Sequence, residues 1–210
     1  SAMALLVDRE SSFWPARVDD LRRPPRQLWV WGSLPPEGAV AVVGTRTPSR
    51  GGMRAARAVT TELVEAGIPV LSGLAPGIDR EVHEAVLDTG APTWAVVGGA
   101  VDRLEPGAES LGLRMVAAGG GVLSEQPPGT PVTYQRRMDR NRIQAALAQV
   151  VVVAEASLPD GTMYTVEAAV ALGRPVQVLD PDRWELGDAR GSRALLRSSA
   201  ELEQTEALAR

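Results

Sequence analysis

Five consecutive apolar residues, Val150-Val151-Val152-Val153-Ala154, constrain the fold of this 210-residue chain more than any other stretch. Four are β-branched, which suits an extended backbone. No polar residue alternates with them, so both faces of the strand must be buried. Such a strand belongs inside a sheet with helices above and below.

The rest of the chain repeats that grammar. Ala39 to Val43 is an apolar run that turns at Gly44-Thr45-Arg46. Met53, Ala56, Val59, Leu63 and Val64 then recur at helical spacing, predicting a helix near 50–66. Ile68 to Ser72 reads as a strand, Gly73 to Gly77 as a turn, and Ile78 to Asp88 as a helix. Thr93 to Val97 is a strand ended by Gly98-Gly99, followed by a helical segment near 107–118. Gly121 to Ser124 is the next strand, then come a proline-rich loop and a helix over about 138–148. After Val150–Ala154, Asp160-Gly161-Thr162 opens a helix to Leu172. Pro175 to Leu179 is the last strand, and 191–199 a short final helix. The alternation predicts a Rossmann-like, doubly wound α/β fold with a largely parallel sheet over 39–200. Residues 1–38 carry Pro15, Pro24, Pro25, Pro35 and Pro36, and read as an N-terminal extension packed on that domain. Trp14 to Val18 starts a short helix there, Leu28 to Gly32 is a short strand, and Trp14, Trp29 and Trp31 read as packing the extension onto the sheet, the alternative being base stacking, which needs an exposed ring. Residues 201–210 read as a polar tail.

Composition narrows the chemistry. There is no cysteine, which excludes disulfides, thiolate nucleophiles and cysteine-ligated metal. A single histidine, His83, makes a histidine metal centre a poor reading, and no cofactor is expected. No apolar run reaches the ~18 residues of a membrane span, so the expectation is a cytoplasmic protein without a membrane partner. The net charge of −4 argues against a generally basic nucleic-acid coat protein, but not against a local basic groove. All 22 basic residues are arginine, whose planar fork matches phosphate oxygens in pairs.

Three stretches converge on the rim formed by the strand C-termini. At Gly44-Thr45-Arg46 a strand gives way to a helix, whose N–H groups and dipole favour an anion. Arg46, Arg50 and Arg54 add charge beside it. The second stretch is Ser72-Gly73-Leu74-Ala75-Pro76-Gly77-Ile78-Asp79, with His83 one turn later; Asp79 reads as a helix cap and His83 as a packing residue. The third is Arg136-Arg137-Met138-Asp139-Arg140-Asn141-Arg142, in which some arginines pair with Asp139 or Glu125 instead of a ligand. No motif for a P-loop nucleotide triphosphatase is present.

In order and spacing these blocks resemble the DNA-processing protein A family, also called Smf. The resemblance runs through Trp14-Pro15, Pro24-Pro25, Val42-Val43-Gly44-Thr45-Arg46, Ser72 to Asp79 with His83, Ser124-Glu125-Gln126-Pro127-Pro128-Gly129-Thr130-Pro131, Arg140-Asn141-Arg142-Ile143, and Gly161-Thr162-Met163 through Gly173-Arg174. It covers roughly residues 14–200. It implies non-catalytic binding of single-stranded DNA in DNA uptake and natural transformation, loading of a RecA-type recombinase, and a homodimer. By position, it implies that Arg46 holds a DNA phosphate and that the Gly73 and Gly77 backbone, Arg140 and Arg142 line the same pocket; with the turns and charges read above, the expected phosphate or DNA site is Gly44, Thr45, Arg46, Arg50, Ser72, Gly73, Gly77, Arg140, Asn141, Arg142, Gly161 and Thr162.

The chain departs from the family pattern at Glu105-Pro106-Gly107-Ala108-Glu109-Ser110, where a cation is usual, at Met138-Asp139, and at Glu167. No winged-helix tail or N-terminal helical domain is expected. The departures keep an alternative open within the same superfamily: a nucleotide sensor, or an N-glycosidase acting on a nucleoside monophosphate. For that reading Glu155, Asp160 and Glu167 are the acids to consider. Glu167 lies five residues after Thr162, where such enzymes place theirs three after.

Overall fold

The computed structural model describes residues 4–198. Residues 1–3, position 199 of the expected last helix and the tail 201–210 lie outside the described residues.

Eight strands form one sheet: β1 (Leu5–Asp8), β2 (Gln27–Gly32), β3 (Val40–Gly44), β4 (Val70–Ser72), β5 (Thr93–Val96), β6 (Gly121–Ser124), β7 (Val150–Glu155) and β8 (Val176–Val178). Their spatial order is β1-β2-β6-β5-β4-β3-β7-β8. The six strands β3 to β8 run parallel. β2 joins the edge of β6 antiparallel, and β1 joins β2 antiparallel. The short strand β1 was not read from the sequence; only Val7 of its four residues is buried.

Alternate residues of the central strands face opposite helical layers. Val40, Val42, Val70 and Val152 meet α1 (Arg50–Glu65) and α2 (Ile78–Asp88). On the same side, Ala95 and Val122 meet α3 (Glu109–Ala117). Ala41, Val43, Leu71, Val151 and Val153 face the other way, toward α4 (Tyr134–Leu147) and α5 (Thr162–Ala171). Residues 190–198 are helical. Burial on both faces is what the run at Val150 requires, and the removal of roughly 25 cal/mol per Å2 of apolar surface from water holds the three layers together. Trp14 packs against the cluster on the α4 and α5 side, beside a 3-10 turn over Ala16–Asp20, and Trp31 against the α3 cluster.

Helix α4 begins four residues before the expected 138. The Thr133 hydroxyl accepts the Arg136 N–H at 3.2 Å and caps the first turn. The cap winds Tyr134, Arg136 and Arg137 into the helix instead of leaving them in the proline-rich loop.

Candidate functional site

β3 and β7 are neighbours, but the strand order runs away from them in opposite directions. This is the topological switch point, where loops diverge and open α/β sheets leave a crevice. An open cleft lies here, with about 590 Å3 of empty space. Gly44 forms its floor at the end of β3, with Arg46, Asp79, Tyr134, Arg137, Met138 and Arg140 among its walls.

The anion seat expected at the start of α1 is already occupied, by the protein itself. The buried Glu155 carboxylate, at the end of β7, accepts the Ser49 N–H at 2.9 Å and the Ser49 hydroxyl at 3.1 Å through Oε2. Its Oε1 accepts the Gly187 N–H at 3.2 Å. Ser49 in turn caps α1 by accepting the Gly52 N–H. A Cβ on Gly52 would overlap Glu155 Oε2, so glycine is required for the carboxylate to sit there. A helix N-terminus stabilises whichever anion reaches it, and here that is a side chain from the neighbouring strand. Arg54 pairs with Glu185, and Arg50 is exposed at the first position of α1, outside the cleft lining.

Arg46 does reach the cleft. Its guanidinium is held end-on by Glu105, Nη2 to Oε2 at 2.6 Å and Nη1 to Oε1 at 3.2 Å. Burial pushes the Glu105 carboxyl up, but the bonded Arg46 charge more than offsets this and holds it below the ordinary carboxylate range. Gly77, at φ +88°, allows α2 to start directly beneath the Thr45–Arg46 backbone, where any Cβ would collide. The Ile78 N–H donates to Thr45 O at 3.1 Å and fixes that crossing.

Arg140 is a structural cation. It is buried and donates through Nη1 to the carbonyls of Gly73 (2.6 Å) and Val96. Its charge faces the buried Asp79 carboxylate, which accepts the Ala75 N–H at 3.4 Å. Burial raises the Asp79 pKa, and Arg140 opposes the rise. Asp79 therefore balances an internal charge, and α2 has no side-chain cap, contrary to the expected role. Gly73 leaves the room that this pair fills. His83 is fully buried. The Thr93 hydroxyl donates to Val70 O, so His83 Nδ1 is the donor in its 2.8 Å bond to Thr93. Nε2 is then a bare acceptor without a partner among the described residues. Burial, helped by Arg140, lowers the His83 pKa to about 3.

Two expected ligand residues are turned to internal work. The Ser72 hydroxyl is fully buried and donates to Val42 O at 2.7 Å. Arg142 does not line the cleft; it clamps Glu125 at 2.7 and 2.8 Å and donates to Arg23 O, tying α4 to the loop after β6. Asn141 and Thr162 border the cleft while bracing it. The Asn141 side chain donates to Gly161 O at 3.1 Å. Asp160 accepts from both the N–H and hydroxyl of Thr162 and of Ser157. The Ser157 hydroxyl is thereby committed, so Thr45 is the donor in its 3.2 Å contact with Ser157. Glu167 lies exposed on α5, outside the cleft lining.

The structure singles out one arginine of the expected Arg136–Arg142 cluster and adds two tyrosines that the sequence reading left without a role. The Arg137 guanidinium has no hydrogen bond or ion pair among the described residues and lies 6.0 Å from the centre of the Tyr134 ring. Tyr134 is 63% exposed at the cleft lip, and Tyr164, on α5, is 47% exposed. The neighbouring Tyr134 hydroxyl raises the Tyr164 phenol above its ordinary value. These are the only two tyrosines in the chain, and their rarity was the one available signal. Among the described residues no helix is long and apolar enough to cross a membrane, and no group of three His, Cys, Asp or Glu is placed to hold a metal ion.

Comparison with known proteins yields concordant matches. The model of the family described as DNA recombination-mediator protein A matches residues 5–208. The DNA processing protein DprA of Mycobacterium tuberculosis is 37% identical over 192 residues, 89% of this chain and 49% of that protein. The chain spans about half the length of the curated relatives it matches. The X-ray structure of DprA from Streptococcus pneumoniae superposes with a TM-score of 0.80 at 32% identity, covering 93% of this chain and 69% of the other. DNA processing protein A from Helicobacter pylori, whose structure concerns its single-stranded DNA binding mode, superposes at 0.81 with 25% identity, covering 94% and 88%.

Proposed function

The chain belongs to the DNA recombination-mediator protein A family, and from that premise we propose that its switch-point cleft binds single-stranded DNA without breaking or making bonds in it. The observation that carries the reading is the Arg137 guanidinium, free of hydrogen bonds and ion pairs among the described residues, in a cleft whose other accessible cation is Arg46. Two forked cations at one lip suit successive phosphates of a strand. The H. pylori relative, with its single-stranded DNA binding mode, supports carrying that ligand class here.

The carboxylates support a binding role over a catalytic one. Glu155 and Asp160 spend their oxygens on hydrogen bonds within the chain, and Glu167 is exposed outside the cleft lining. Delivery of the bound strand to a RecA-type recombinase, in the cytoplasm, and assembly as a homodimer complete the proposal; the family description as a recombination mediator supports the first.

Fluorescence anisotropy with a labelled single-stranded oligonucleotide tests the core of it. With two accessible cations in the cleft and a net charge of −4, binding should be modest and weaken with salt at a log–log slope of about −0.7 per phosphate contacted. A flat titration at low salt, up to protein concentrations on the order of tens of micromolar, would remove the reading, since non-specific binding of this kind sits at about 1–100 μM.

A further inference from the structure

We propose that Arg23 and Arg26, on the loop that leads into β2, form a second phosphate contact on the sheet rim, one that a single strand reaches only after running out of the cleft; this rests on the single-strand reading above. The register of the sheet puts the loop there. β2 runs antiparallel to β6, with Trp29 opposite Ser124. The start of β2 therefore meets the end of β6, on the same rim as the cleft. Two residues beyond that pair, Gln27 and Gln126 join Pro24, Pro25, Arg26 and Glu125 in lining an open hollow with about 870 Å3 of empty space. Four strand spacings separate β2 from β3 in the sheet order, roughly 19 Å at about 4.8 Å each. Between them the backbone of Arg136 and Arg137 crosses directly over Gly98, just after β5. The rim thus carries cations near its middle as well as at Arg46 and at the hollow.

The loop is held in place while its charges stay available. Leu21, Pro25 and Leu28 are buried and pin it, and Arg22, Arg23 and Arg26 stand exposed between them. Arg142 donates to Arg23 O at 2.9 Å, so an arginine expected to touch phosphate anchors this loop instead. Two adjacent prolines fix their own φ angles and stiffen it. Little freedom is then left to lose on binding. The acids nearby are already engaged. Glu125 gives both carboxylate oxygens to Arg142. Asp139 accepts from Gln135 at 3.1 Å and lies a long 3.8 Å from Arg23, whose side chain is 77% exposed. Arg26 has no hydrogen bond or ion pair from its side chain among the described residues. At the 3.4 Å phosphate spacing of a stacked strand, roughly 19 Å corresponds to about six nucleotides. A strand bound at Arg46 and long enough to reach the hollow meets Arg23 and Arg26 at a high effective concentration, and a shorter one never does.

The test is a length series of single-stranded oligonucleotides, from about four to about twenty nucleotides on either side of that span, with the shortest measured by competition against a labelled long strand. The Arg23→Gln/Arg26→Gln double variant should match wild type on the shortest strands within about twofold. On the longest it should bind about fivefold more weakly at low salt, the scale of two exposed ion pairs. Its log–log salt slope there should be smaller by about 1.4, two contacts at about 0.7 each. Arg57→Gln/Arg114→Gln removes the same charge from α1 and α3, on the opposite layer, and should leave the long-strand slope unchanged. Arg46→Ala should weaken every length. The second contact is overturned if the Arg23/Arg26 variant loses affinity equally at all lengths, if it matches wild type on the longest strands, or if the Arg57/Arg114 variant loses as much. If wild-type protein binds no oligonucleotide at any length, the single-strand reading itself has failed and the second contact falls with it. Both replaced side chains are exposed, so the thermal melt should not move, and that control excludes misfolding.

Discussion

On the proposed single-strand reading Glu105 competes with a DNA phosphate for Arg46, and Glu105→Gln is the substitution that exposes this. In the free protein the guanidinium is held by two bonds of 2.6 and 3.2 Å. An incoming phosphate must displace the carboxylate and then sit beside it. The Arg46 side chain is 43% exposed and that of Glu105 16%, so solvent screening keeps the pair near the surface scale of about 0.5–1 kcal/mol. Repulsion between Glu105 and a phosphate a few Å away adds about 1 kcal/mol in a water-like dielectric. Glu105→Gln should therefore tighten oligonucleotide binding by about 1–2 kcal/mol, roughly five- to thirtyfold. Anisotropy titrations of both proteins at 20 mM and 200 mM ionic strength would measure it, and the gain should shrink at the higher salt as screening shortens to about 7–8 Å. In an Arg46→Ala background the gain should fall to the repulsion alone. Equal affinity of wild type and Glu105→Gln, or a full gain without Arg46, would refute the competition.

Four further outcomes follow from the same geometry. Arg46→Ala should weaken binding by about 1–3 kcal/mol, the scale of a charge-assisted hydrogen bond, with an unchanged melting temperature. Arg140→Ala should instead destabilise the fold by about 3–5 kcal/mol in urea titration, because it leaves buried Asp79 without its counter-charge. Gly52→Ala should lower stability by about 1–3 kcal/mol, since its Cβ takes the space of a Glu155 oxygen that carries the α1 turn. The His83 pKa is near 3 in the folded chain and about 6.5 in the unfolded one. Only the unfolded state gains that proton between the two values, so stability is full above pH 6.5 and falls by about 1.4 kcal/mol per unit below it. Urea titrations at pH 7.5 and 5.5 should show the loss in wild type and not in His83→Gln.

The sequence revealed what local chemistry decides and concealed what distant pairing decides. Helix α2 and strand β6 match the reading residue for residue, because glycine turns and apolar runs bound them. The Rossmann-like sheet followed from strands with no alternation. The start of α4 was displaced because a proline-rich loop masked the Thr133 cap. Which arginines face the cleft depends on partners far along the chain. Arg46 meets Glu105 across 59 positions, Arg140 meets the Gly73 carbonyl across 67, and Ser49 meets Glu155 across 106. No spacing rule encodes those contacts. The pairing of Arg142 with Glu125, 17 residues apart, was within reach and was one of the alternatives considered. Tyr134 had no such signal beyond being one of two tyrosines.

The carboxylate of Glu155 at the head of α1 bears on how long a ligand must be. With the anion seat at the head of α1 closed from within, the cleft is left with contacts at its lip that are weak and shared with solvent. Such contacts become useful when they are tethered to one another, because the first to form raises the effective concentration of the next. A ligand of one or two phosphates gains nothing from this, whereas a strand that crosses the whole lip gains at every step. Affinity should then climb with strand length until the lip is spanned and level off beyond it, making the reach of the polymer, more than any single phosphate, the property the surface measures.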